Sequence, residues 1–79
     1  MMTVADFNPC SKFIAYHRRG SAYSALGQHQ RAIEDYDKAI ELNPDYAIAY
    51  NNRGLSFQEL GQASRAREDF DRARLLNRG

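Results

Sequence analysis

Apolar and small residues recur along this chain at steps of three and four. Tyr16, Gly20, Tyr23 and Gly27 follow one another at steps of 4, 3 and 4, with Leu26 beside them. Ala32, Tyr36, Ala39 and Leu42 follow at 4, 3 and 3, and Tyr50, Gly54, Phe57 and then Ala66, Phe70, Ala73 repeat the two series. Such steps draw one stripe along a 3.6-residue helix and leave the other faces polar. Within each stripe large and small residues alternate, so two helix axes can approach closely while the rings fill the space beside them. Gly27 and Gly61 stop helices, because glycine takes positive φ without a Cβ clash. Asn43-Pro44 ends another, since the residue before proline is pushed out of the helical region. Ser11 and Asp45 stand as N-caps. The pattern predicts helices over 12–26, 29–42, 46–60 and 63–77, with a loose arm over 1–10. Loops this short make neighbouring helices antiparallel.

The four segments are two copies of one unit. Residues 47–77 slide onto 13–43 at a shift of 34 without a gap, and 16 of the 31 pairs are identical. Tyr23/Phe57, Tyr36/Phe70 and Lys38/Arg72 are near-identities in addition. A fixed period near this length marks a repeat whose unit cannot bury its apolar face alone. Repeat 1 runs over about 11–44 and repeat 2 over about 45–78, together one domain over 11–79. The fold class expected is all-α. Function in such arrays sits on a surface made by stacking.

Composition removes several alternatives. One cysteine allows no internal disulfide and no cysteine-based metal site, and fits a reducing, cytoplasmic setting. A net charge of +1 does not by itself call for nucleic acid or membrane. No apolar run nears the roughly 18 residues of a membrane span. The first residues lack the basic-then-apolar order of a secretory signal.

The two units resemble the tetratricopeptide repeat. Tyr16, Gly20, Tyr23, Gly27, Ala32, Tyr36, Ala39 and Pro44 match that family's signature in the first unit, and Tyr50, Gly54, Phe57, Gly61, Ala66, Phe70 and Ala73 in the second. The likeness covers about 11–78. Arg19 and Arg53 depart from it, standing where the family commonly has leucine, and Arg78 stands in place of the closing proline. The resemblance implies two helix-turn-helix hairpins stacked as a short right-handed α-solenoid. It also implies a non-catalytic scaffold that binds another protein or a peptide along its first helices.

Helical spacing marks the same face without the family. Opposite the Tyr16/Gly20/Tyr23 stripe lie Ile14, His17, Ser21 and Ala25, with Ser24 beside them; repeat 2 offers Ile48, Asn51, Asn52, Leu55, Gln58 and Glu59. Ile14, Ile48 and Leu55 are expected to hold apolar anchors, and His17, Asn51, Asn52 and Gln58 to bond a peptide backbone. The competing reading for Ile14 and Ile48 is packing on a neighbouring helix. Some family members grip acidic chaperone tails with a two-carboxylate clamp; of its residues only Asn52 matches here, and His17 and Ser21 replace two others, so that partner is not expected.

The second helices differ most. Ile33 and Ile40 of repeat 1 become Arg67 and Arg74 of repeat 2. A terminal unit needs a polar outer face, and the change reads as repeat 2 closing the stack. Arg65, Arg67, Arg72, Arg74 and Arg78 then form a solvated cap interleaved with Glu68, Asp69 and Asp71, with Glu68 and Arg72 paired at i,i+4. As a surface, the five arginines make a candidate patch for an acidic partner; nucleic acid is a lesser reading, because it needs several phosphate contacts. Two repeats fall short of the ~3 that usually make a stable stack, so self-association into a homo-oligomer through the open edges is a second expectation. Val4, Phe7 and Phe13 are expected on the open side of repeat 1.

Catalysis is not expected. Cys10 and His17 are seven apart but near the chain start, His29 lies at a turn, and the two histidines lack the spacing of a helical metal pair. No glycine-rich loop is present to cradle a phosphate, so neither cofactor nor metal is called for.

Overall fold

The computed structural model describes residues 10–78. They form α1 (Cys10–Ala25), α2 (His29–Leu42), α3 (Ala47–Glu59) and α4 (Ala63–Arg78), with no strand among the described residues. α2 has the predicted bounds; the others differ by one or two residues. α1 packs on α2, α3 on α4, and α2 on α3, while α1 and α3 barely touch. Two hairpins therefore stack as a short α-solenoid. Val4 and Phe7, and all of the expected arm but Cys10, lie outside the described residues.

The glycine stops are as the pattern requires. Gly27 and Gly61 take φ of +81° and +79°. Around each, the chain closes a Schellman motif: Gly27 N–H donates to Ser24 C=O at 3.0 Å and Gln28 N–H to Tyr23 C=O at 2.8 Å, matched by Gly61 to Gln58 and Gln62 to Phe57. The N-terminal expectations fail. α1 already contains Cys10, so Ser11 lies inside the helix rather than capping it. Tyr46, not Asp45, is the N-cap of α3, and no side chain caps it. The cause is Asn43, whose Oδ1 accepts from Asp45 N–H at 3.3 Å and whose C=O accepts from Tyr46 N–H at 3.1 Å. Asn43 thus organises the connection as an Asx turn and carries the chain past Asp45 before the helix begins.

The notches are closed by rings. A Cβ on Gly20 would stand 2.9 Å from Tyr36 Cε1, and one on Gly54 only 2.8 Å from Phe70 Cε1. Ala32, Ala39, Ala66 and Ala73 are buried beside these rings. Leu26, by contrast, is exposed at the turn, and Leu42 is partly so.

Between the repeats, Ile33 is buried against Phe57 and Ala66, with Phe70 packed on the cluster. Its counterpart Arg67 is exposed, as is Arg74, while Ile40 is half-buried. The Ile-to-Arg changes therefore separate an inner face from an outer one. Phe13 does not turn to the open side of repeat 1. It packs edge-on against Tyr46, with centroids 4.7 Å apart, because the tyrosine before α3 reaches back over α1.

Candidate interaction surface

The residues expected along the first helices divide into two sets. His17 and Asn52 meet across the repeat junction, His17 Nε2 lying 2.7 Å from Asn52 Nδ2. The His17 ring also packs on Tyr36, at 5.6 Å between centroids, and edge-on to Tyr46, at 5.3 Å. Burial holds its pKa below the ordinary histidine value. A neutral ring with its proton on Nδ1 lets Nε2 accept from the Asn52 amide, so the hydrogen bond and the burial select one protonation state. These two side chains are thereby engaged inside the protein.

Ser21 is engaged too. Its Oγ and the Tyr36 hydroxyl share a hydrogen bond of 3.3 Å, which gives a ring only 2% exposed a partner for its polar end. The same burial raises the Tyr36 pKa. In repeat 2 the ring is Phe70, which has no hydroxyl, and the serine position is Leu55.

What remains outside is aliphatic and amide. Ile14, Ile48 and Leu55 are 43%, 54% and 46% exposed. Asn51 and Gln58 are exposed around them, as are Ala25 and Glu59, while Ser24 is half-buried. Ile14 and Ile48 thus do not pack away against a neighbouring helix. Three half-open aliphatic side chains with flanking amides can seat apolar anchors and bond the backbone between them.

The largest feature that sequence reasoning missed is ionic. Arg19 Nε and Nη2 grip Asp35 bidentately, each at 2.8 Å. Arg53 grips Asp69 in the same way, at 2.8 and 2.7 Å, and its Nη1 also reaches Asp37 of repeat 1 at 2.8 Å. Asp35 and Asp69 are buried, which explains the departure from leucine: a carboxylate inside the hairpin requires a cation beside it. Donation to the Asp69 carboxylate outweighs burial and holds the Arg53 guanidinium protonated more firmly than an ordinary arginine. Both guanidiniums also lie over rings, Arg19 5.7 Å from the Tyr16 centroid and Arg53 5.5 Å from that of Tyr50. The available signal was that Arg and Asp sixteen residues apart occur together in both units.

On α4, Arg65, Arg67, Arg72, Arg74 and Arg78 are all exposed. The expected Glu68–Arg72 pair does not form; Arg74 instead holds Asp71 one turn away. Asp69 is turned inward to Arg53, so Glu68 and Asp71 are the exposed acids among these five arginines.

Paired antiparallel helices repeated at a shift of 34 residues, closed by ring-filled glycine notches, define an α-helical repeat protein. Residues 14–61 match the TPR repeat family, and residues 47–78 match the tetratricopeptide repeat. The chain belongs to the tetratricopeptide repeat family, whose repeats mediate protein–protein interaction and are not catalytic. It is similar to the crystal structure of MamA, at 32% identity and a TM-score of 0.81 over 84% of this chain. It spans 39% of that chain's length. Among curated proteins none matches. No helix among the described residues is long and apolar enough to cross a membrane.

Proposed function

We propose that the chain binds an extended or helical peptide segment of another protein along α1 and α3. Ile14, Ile48 and Leu55 seat its apolar side chains, and Asn51 and Gln58 bond its backbone. The observation that carries this is the half exposure of those three aliphatic residues, whereas Ile33, at the junction of the two repeats, is buried. His17, Asn52, Ser21 and Ser24 support the surface from below. Panning a displayed library of ten-residue peptides tests the reading. Enriched peptides should bind the wild type and lose most of their affinity for Ile48→Asp and Leu55→Asp, with helicity unchanged. Peptides that bind these variants as well as the wild type would refute it.

A second reading gives the α4 arginines an acidic partner. It is favoured by the inward turn of Asp69, which leaves the exposed side of α4 more basic than its composition. Binding there should weaken steeply with salt and be insensitive to Leu55→Asp.

A further inference from the structure

Arg53 stands between two aspartates, Asp37 sixteen residues behind it and Asp69 sixteen ahead. The same relation is half made at each end of the stack. Arg19 holds Asp35, sixteen ahead, through Nε and Nη2. Its Nη1, the atom that in Arg53 reaches Asp37, bonds nothing among the described residues, and its side chain is 60% exposed against 20% for Arg53. At the other end Asp71 is the repeat counterpart of Asp37. It is half exposed and held by its near neighbour Arg74, an exposed contact of the kind that contributes little. Among the described residues one junction is complete, and its two halves stand exposed at the ends, one offering an N–H and the other a carboxylate that Arg74 holds only at the surface.

The apolar parts of the two ends correspond as well. Beside Arg19, Lys12, Ala15 and Tyr16 line an open cleft of about 410 Å³. Beside Asp71, Leu75 is 60% exposed and rims a cleft of about 420 Å³. Leu75 occupies the position that is Glu41 in repeat 1, so the outer end carries an aliphatic side chain that the internal junction lacks.

We propose that the chain stacks head to tail on a second copy. Asp71 of one copy accepts from Arg19 of the next, as Asp37 accepts from Arg53, and Leu75 enters the cleft of Ala15 and Tyr16. Like ends complete nothing: head to head brings Arg19 no counterpart of Asp37, and tail to tail leaves Arg19 out of the contact. The contact is weaker than the internal junction and sensitive to salt, because Arg67 and Arg74 stand where that junction has Ile33 and Ile40. It uses the ends of the stack and leaves Ile14, Ile48 and Leu55 open.

Sedimentation velocity of the full chain at low salt, over an about hundredfold dilution, tests this. The wild type should rise above its monomer mass of 9.0 kDa as concentration increases. Asp71→Arg and Ala15→Arg, both at exposed positions, should each lose that rise while keeping wild-type helicity. Mixed together, the two variants should regain a 1:1 dimer, since each keeps the end the other lacks. Glu59→Arg, an equal charge change on α3, should leave association intact. A monomer at every concentration, an association indifferent to Asp71→Arg, or a mixture that stays monomeric would each overturn the proposal.

Discussion

Ser21 of α1 and Tyr36 of α2 share a hydrogen bond of 3.3 Å, and in the second repeat both partners change together, to Leu55 and Phe70. The hydroxyl and its acceptor are thus present as a pair or absent as a pair. Ser21→Leu alone should orphan the Tyr36 hydroxyl and cost about 1–3 kcal/mol, the penalty of an unpaired buried polar group. Adding Tyr36→Phe should recover most of that loss. Urea unfolding of the two single variants and the double closes the cycle; simple additivity would show that the pair is not coupled.

The aspartates around Arg53 should differ sharply. Asp69 is buried and bidentate, and removing it strands a guanidinium that is largely enclosed. Asp69→Ala should cost about 3 kcal/mol. Asp37 is about half exposed and makes one bond to the same guanidinium, so Asp37→Ala should cost under about 1 kcal/mol. Equal losses in denaturant titrations would contradict this ranking.

Glycines at matching repeat positions do two different jobs, and substitution should separate them. Gly54→Ala drives a Cβ into the Phe70 ring and should cost about 1–3 kcal/mol through overpacking. At Gly61 nothing lies within contact of the added carbon, and the cost is that of a left-handed backbone, about 1–2 kcal/mol for alanine. Asparagine tolerates that backbone, so Gly61→Asn should recover part of the loss and Gly54→Asn none. Thermal melts of the four variants distinguish the two mechanisms.

His17 gives the chain a pH dependence of known sign. Its folded pKa lies below the unfolded 6.5, so the unfolded chain takes up a proton first as pH falls. Above about pH 6.5 both states are neutral at this site and stability is at its plateau. Below it the contribution is lost progressively until the folded ring protonates as well. Protonation also turns Nε2 from acceptor to donor, facing an Asn52 amide that must flip to stay bonded. Urea midpoints between pH 7.5 and 5 should fall in the wild type and fall less in His17→Gln. Parallel profiles would remove His17 as the source.

Much of this architecture was legible in the residues because it is local. Gly27 and Gly61 mark their turns through backbone conformation alone, and the alternation of glycine or alanine with tyrosine or phenylalanine marks the faces that close. The starts of the helices were less legible. Asp45 has the chemistry of a cap, but Asn43 binds its N–H two residues earlier and moves the helix start. His17 was placed by its angle on α1, and that angle carries no information about Tyr46, which arrives from 29 residues away to cover it. Arg19 and Arg53 were visible only as departures from leucine. Their meaning lay in Asp35 and Asp69, polar residues on a face otherwise read for its alanines and rings. The surface residues Ile14, Ile48 and Leu55 were placed by spacing alone, which works where no second element intervenes.

The Arg53 clamp also acts as a ruler. Its two carboxylates lie sixteen residues to either side, and each interval crosses one interhelical connection. A residue inserted in either connection leaves one carboxylate out of reach or forces the turn to bulge around the extra length. Surface loops usually absorb such changes. Here lengthening either connection carries an electrostatic penalty, so growth by whole duplicated units is the route that keeps the Arg53 clamp matched.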